Sequence, residues 1–349
     1  MHILEGRERV SGEPLSVAIS GSDPFKTYLA KLAFQGLPEE RLLGRARAWS
    51  VPALVKNLAP DCALLAWKIP FVVAPFFSRS SFARLPWWVD MNIDLQGEPS
   101  VFLKKSRFLR NKAMVKSRGF TQERTQDEAA VFDFYHNLYV PYVKQRHGEI
   151  AGVRPYEETR TAVLSGRWEL MLVKLDGQTL GGAAIDVSGP LVRVRDFGVR
   201  DGAHENLTQG TAAALYHFLL TTLHERGIPT LDLGNCRPFI GDGVLQYKRS
   251  LGGYLTQPDI PNGGLIDLRA LKNTPGLSGF LVNNLFVRVG RGNRLKLSVF
   301  VERLSAEAER ELELIREKYC FKGTVEARLV PVAELFSLMP DTGLPAQTA

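Results

Sequence analysis

Leu231 to Gly253 reads LDLGNCRPFIGDGVLQYKRSLGG, and this order of residue types decides the fold. An apolar strand ends at Leu233 and Gly234 lets the chain leave the sheet. Asn235 then falls in a loop, and a short helix brings Tyr247 and Lys248 up to the closing pair Gly252–Gly253. Strand ends that open into loops carry backbone amides and carbonyls without sheet partners, which is where α/β proteins seat ligands. A lysine four residues before the closing glycine, beside such a strand end, places a cation over a reacting carbonyl.

Working back from this stretch, Glu169–Leu175 reads as a strand, and Asp176-Gly177 is a strong hairpin turn. Leu180–Val187 returns as its partner, Gly189-Pro190 turns again, and Leu191–Val199 is a third strand. A helix from about Gln209 to Arg226 shows an apolar face of Ala212, Leu215, Tyr216, Leu219 and Leu223, with Gly227 as its cap. Three antiparallel strands, a helix, a strand and a short helix predict an α+β unit with a mixed, mainly antiparallel sheet flanked by helices.

Upstream, Leu15–Ser20 reads as a strand, Lys26–Phe34 as a helix, Ala63–Phe77 as one or two strands and Trp87–Leu95 as another. Thr125 and Glu128 make a capping box for a helix facing Val131, Phe134, Tyr135, Leu138 and Tyr142 inward, which Pro141 ends or kinks. Beyond the Pro258–Gly264 link come a strand pair near Leu285–Val301, a helix with Ala308, Leu312, Ile315 and Tyr319 on one face, a strand at Thr324–Val330 and a frayed tail after Pro340.

The chain has 349 residues, 45% apolar and 23% charged, as in ordinary soluble globular proteins. No apolar run approaches the ~18 residues of a membrane span, and Met1–Gly21 lacks a signal-peptide pattern. Cys62, Cys236 and Cys320 are far apart and not in metal spacing, as expected of free thiols in a reducing cytoplasm. No metal site is expected. The net charge of +7 is concentrated: Pro99 to Gln122 carries Lys104, Lys105, Arg107, Arg110, Lys112, Lys116 and Arg118 and no acid. With Phe102, Leu109 and Ala113 inward, this is either a solvated helix face or an anion site, Lys105, Lys112 and Lys116 meeting phosphates of a cofactor, a nucleotide-linked substrate or RNA.

The succession over roughly Ser100–Gly253 resembles the GNAT acyltransferase core, and more closely its FemAB-like and BioF2-like acetyltransferase branch. The resemblance rests on the YKRSLG element (Tyr247, Lys248, Leu251, Gly252) preceded by LDLG, and on a basic stretch followed by a helix ending near Arg146-His147-Gly148. It implies a degenerate GNAT-like half over 1–98, an acyltransferase domain over 99–254 and a small αβ appendage over 255–349. The phosphate-binding turn of the family falls on LTQGTA, where Gly210 and Ala212 fit and Leu207 replaces the leading basic or amide residue, with Gln209, Thr208 and Thr211 beside it. Lys248, not Tyr247, stands four residues before Gly252, which is the FemAB-like arrangement; the resemblance makes Lys248 the stabiliser of a tetrahedral oxyanion.

The expected reaction is direct attack of an amine, on a small molecule, amino sugar or peptide, upon a thioester or ester carbonyl. The donor is acetyl-CoA or another acyl-CoA; aminoacyl-tRNA feeding a peptide or peptidoglycan precursor is the alternative, and a non-catalytic GNAT-like binding protein a third reading. The backbone of Phe197, Gly198 and Val199, together with Gln209–Ala212 and Asn235, would hold the cofactor, and Tyr247 flanks the catalytic lysine. Asp196, sharing a strand face with Val192 and Val194, is the leading general base, or else the ion-pair partner of Arg193 or Arg195; Asp186 and His204 are weaker candidates. An acyl-carrying role for Cys236 lacks a nearby His.

Overall fold

The computed structural model describes residues 1–72, 74, 83–96, 101–147, 152–189, 191–256, 264–290, 294–319 and 325–337. The fold is mixed α+β, and its contacts divide the chain into two compact units. The first comprises Met1–Val89, Cys236–Leu245 and Leu255–Ala349; the second comprises Asp90–Asn235 and Gln246–Tyr254. Gly148, Pro190, Cys320, most of the Pro258–Gly264 link, and the tail after Pro340 lie outside the described residues.

In the first unit, β1 (His2–Arg7), β2 (Pro14–Ser20), α1 (Asp23–Ala33), β3 (Glu39–Leu42), α2 (Val51–Leu58), β4 (Leu64–Ile69) and β5 (Ala83–Pro86) follow in order. With the later strand Leu265–Ala270, these strands form a six-stranded sheet with β4 inside it. β4 is buried on both faces except at Lys68, as its unbroken apolar sequence requires. One face packs Phe25, Leu29, Leu277 and Phe280, the other Val51, Val55 and Trp67.

The second unit begins in β6 (Val89–Asp94) and continues through α3 (Ser106–Arg118), β7 (Thr121–Thr125), α4 (Glu128–Asp133), α5 (Val140–His147), α6 (Tyr156–Leu164), β8 (Trp168–Leu175), β9 (Gln178–Asp186), β10 (Val192–Val199), α7 (His204–Thr208), α8 (Thr211–Glu225), β11 (Thr230–Cys236), α9 (Gly243–Ser250) and β12 (Tyr254–Leu255). Its sheet has the order β12-β6-β11-β10-β9-β8-β7. The β8–β9–β10 meander is antiparallel and β11 joins β10 in parallel, the arrangement expected from the pattern of residues. β7, absent from the strands expected of the sequence, pairs with β8 at the edge.

Several local expectations are corrected. α3 starts at Ser106, after a separate 3-10 turn over Val101–Lys104, so a helical phase counted from Phe102 does not hold. Its buried face is Phe108, Asn111 and Val115, while Leu109 and Ala113 are exposed. The helix after β7 is capped by Asp127, whose carboxylate accepts from Ala130 N–H; Thr125 instead accepts from Asp127 N–H. Pro141 does not end the helix. The preceding turn, Phe134–Tyr139, widens to π geometry, with Val140 N–H reaching Tyr135 O, and this makes room for a ring that has no N–H to give. Asn235 lies in β11 rather than in a loop, because β11 runs on to Cys236 through Gly234 at φ +78°.

Candidate active site

The site grows from the way β10 and β11 part. Their parallel pairing covers two positions among the described residues, Val192↔Leu231 and Arg193↔Asp232, although β10 continues to Val199 and β11 to Cys236. Beyond them no further pairing of β10 with β11 is present among the described residues, and Gly234 O and Asn235 O of β11 turn instead to a side chain of α9. Two features hold the strands apart. β10 is bulged, since Val194 pairs with Ile185 but Asp196 with Ala184, leaving Arg195 as an extra residue. In β11, Gly234 takes a left-handed conformation open to glycine, and its N–H donates to Asp232 Oδ1 at 2.7 Å.

The kink turns two carbonyls toward α9. Lys248 donates from Nζ to Gly234 O at 2.9 Å and to Asn235 O at 3.1 Å, and the residue is only 5% exposed. The left-handed Gly252 closes the helix, and Gly253 N–H returns to Lys248 O; a Cβ at Gly253 would meet that carbonyl at 2.9 Å. Lys248 makes no ion pair among the described residues. A buried ammonium compensated by carbonyl dipoles alone is an attractive seat for negative charge. It has three N–H groups, and two are used.

Tyr247, next along α9, has its hydroxyl buried; burial pushes the phenol up to about 12 against the opposing charge of Arg107, so it stays neutral. Asn111 lies beside it, but neither the phenol oxygen nor Asn111 Nδ2 completes a hydrogen bond. Half-buried rings run from this point in a row. Tyr247 meets Tyr216 at 5.5 Å, Tyr216 meets Phe197 at 6.4 Å, and Phe197 meets Tyr142 at 4.9 Å. Among the expected cofactor contacts, Phe197 therefore faces α8. Val199 is fully buried, and Gly198 is fixed by packing, since a Cβ there would lie 2.5 Å from Leu138 C and Tyr139 N.

Asp196 does not share a face with Val194. The bulge moves it to the face of Ala184, opposite that of Ile185 and Val194. There it is 3% exposed and accepts from Arg154 Nε and Thr159 Oγ1, each at 3.3 Å. Burial raises its pKa and Arg154 opposes the rise. Asp196 pairs with Arg154 and not with Arg193 or Arg195, the partners expected from sequence. Arg193 holds Asp232 and Arg195 holds Asp186. Asp232, whose role is not signalled in the sequence, ties Arg193 to the Gly234 kink.

Burial alone would push Asp186 up, but Ser188 and Arg195 outweigh it and hold the carboxyl at about 2. A depressed carboxylate stabilises the fold above its unfolded pKa near 4 and loses that contribution as pH falls through 2. Asp186→Asn is therefore expected to cost about 1–2 kcal/mol at pH 7, after discounting the partly exposed Arg195 for solvent screening, and the gap from the parent should close between pH 4 and pH 2. Urea unfolding across that range reads both.

At the start of α8, Gly210 has φ +96° and approaches Met114 of α3; Gln209 O accepts from Arg118. Thr211 is buried and its hydroxyl is spent on Asn206 O, so it serves the fold rather than a ligand, whereas Gln209 is exposed and Ala212 half-buried. Lys105, just before α3, and Lys112 and Lys116 on it are exposed and form no ion pair among the described residues. His204 is exposed at the start of α7, and Cys236 is a buried cysteine assigned to the first unit. A surface hollow lined by Leu304, Glu309, Arg316 and Arg328 belongs to the first unit and contains none of the expected site residues. Among the described residues no group of His, Cys, Asp or Glu could hold a metal, and no helix is long and apolar enough to cross a membrane.

No family model and no curated protein matches the chain. Solved structures do. FemX is 12% identical over 76% of this chain and 83% of its own, with a TM-score of 0.39. The L-PGS of Bacillus licheniformis is 10% identical over 80% and 88%, also with a TM-score of 0.39. The C-terminal domain of a putative lysylphosphatidylglycerol synthetase from Agrobacterium fabrum is 12% identical over 78% and 82%, with a TM-score of 0.36. At such identities no residue role is transferred from any of them.

Proposed function

We propose that this chain is an N-acyltransferase in which an amine attacks an activated acyl carbonyl seated where β10 and β11 part. The observation that carries this reading is the pairing of that opening with a buried ammonium, Lys248, held by two carbonyls and with one N–H left to give. As the amine nitrogen bonds to the carbonyl carbon, negative charge grows on the carbonyl oxygen. A fixed cation in a water-poor site stabilises that charge by several kcal/mol. The C–S or C–O bond then breaks, and the amine's proton leaves with the departing thiol or hydroxyl. Tyr247, neutral and enclosed, serves as a wall beside the lysine. Asp196 positions Arg154 and α6 instead of acting as the base. In this reading residues 99–254 carry the catalysis, while the C-terminal stretch sends Leu265–Ala270 into the sheet of the N-terminal strands and forms one unit with them.

An acyl-CoA is the primary donor, with the amides opening α8 and the neighbouring Arg118 meeting its phosphates. Aminoacyl-tRNA is the second reading, favoured by Lys112 and Lys116, which are exposed on α3 and form no ion pair among the described residues. Incubation with acetyl-CoA or aminoacyl-tRNA and a panel of amines, read by mass spectrometry, tests both. If tRNA is the donor, the triple change Lys105→Glu, Lys112→Glu, Lys116→Glu should abolish tRNA binding, and the parent's affinity should fall steeply with salt. If acetyl-CoA is the donor, the triple variant should keep most of its activity. Absence of transfer from either donor would leave a binding protein.

A further inference from the structure

The first unit contains a cluster that acyl transfer does not use. Trp87 and Trp88 set their rings at 79° with centroids 6.3 Å apart, forming a corner. The Arg237 guanidinium sits in it, its Cζ 3.9 Å from the Trp88 centroid, 4.9 Å from Trp87 and 5.3 Å from Tyr28. A second cation shares the corner, for Lys68 Nζ lies 4.0 Å from the Trp87 centroid. Neither cation forms an ion pair among the described residues. Arg237 Nη1 is buried and has no hydrogen-bond partner among the described residues.

A buried N–H without an acceptor costs free energy comparable to what a cation–π contact returns. Two cations on one ring also repel each other. Asp242, whose charge acts on Arg237 without an ion pair, accepts from Tyr28 Oη at 3.2 Å and from the amides of Val244 and Leu245 at 3.0 Å each. Burial lowers the pKa of both Arg237 and Lys68, and for Lys68 the charge of Arg237 adds to it. The corner thus holds two cations and one unsatisfied guanidinium N–H, an excess of positive charge that an anion would offset.

We propose that Arg237 and Lys68, set on the Trp87–Trp88 corner, bind a phosphoryl group. A dianionic phosphate balances two positive charges where one carboxylate does not, and its oxygens suit the guanidinium fork and a point-charge ammonium together. Free phosphate and the head of a phosphate monoester share this chemistry.

The test labels the five tryptophans with 5-fluorotryptophan, assigns Trp87 and Trp88 by Trp→Phe changes, and titrates the full chain by 19F NMR. Inorganic phosphate and glycerol phosphate are compared with acetate at equal ionic strength. The Trp87 and Trp88 resonances should move saturably, with midpoints at about millimolar phosphate, while those of Trp49, Trp67 and Trp168 stay in place. A tighter midpoint with glycerol phosphate identifies the monoester as the ligand; equal midpoints identify the phosphate group itself. Arg237→Gln and Lys68→Gln should each weaken binding by about tenfold or more. Lys68 is exposed, so its variant decides the matter if Arg237→Gln fails to fold. Lys248→Met should leave the midpoint unchanged, which separates this site from acyl transfer. Movement that is linear, equal with acetate, or indifferent to Lys68→Gln would overturn the proposal and leave a packing contact.

Discussion

Lys248→Met is expected to lower acyl transfer by about 10²- to 10³-fold in kcat, with little change in KM for the donor. Methionine keeps most of the side chain's length and apolar volume, so α9 retains its place against β11. What is lost is the ammonium, which stabilises charge that exists only in the transition state and contributes little to ground-state binding. Gly234 O and Asn235 O lose their donor as well, and a destabilisation of about 1–3 kcal/mol is the accompanying cost. Steady-state kinetics and urea unfolding separate the two effects. A variant that keeps full activity would show that Lys248 is a structural cation tying α9 to the kinked strand.

Gly198→Ala is the change expected to damage the second unit most. Its new methyl would stand 2.5 Å from Leu138 C and Tyr139 N, which are main-chain atoms with no rotamer to escape into. Either the π turn or β10 must move, at a cost of about 3 kcal/mol or more. Moving β10 also disturbs its parting from β11, so activity should fall with stability. Gly36→Ala is the matched control, because a Cβ there meets nothing within 4 Å. Denaturant unfolding of both variants gives the comparison. If Gly198→Ala stays within about 0.5 kcal/mol of the parent, the close seat of the π turn on β10 is wrong.

The two predictions draw on different kinds of legibility. The β8–β9–β10 meander and α8 were readable because strand and helix periods, the Asp176-Gly177 turn and Gly227 are written in local sequence. The importance of Lys248 was readable from its spacing to Gly252. Its cradle was not, since backbone carbonyls carry no residue identity and the Gly234 kink falls inside a strand. The bulge at Arg195 leaves no mark in the alternation of Val192, Val194 and Asp196, yet it reverses the face of Asp196. Arg154, the partner of that carboxylate, lies 42 residues away in sequence, a pairing that only folding makes. On α3 the error was one of phase: the 3-10 turn at Val101–Lys104 resets the helix, and charge-rich sequence offers few apolar residues to reveal the reset.

Backbone amide exchange across Val194–Val199 and Gly234–Asn235, with and without saturating acetyl-CoA or aminoacyl-tRNA, tests the central claim most directly. One of the two donors should slow exchange in both segments, because its acyl arm takes up the open strand edges, while β7 and β8 stay unchanged. Unaltered exchange in both segments with either donor would mean that no acyl donor enters between β10 and β11.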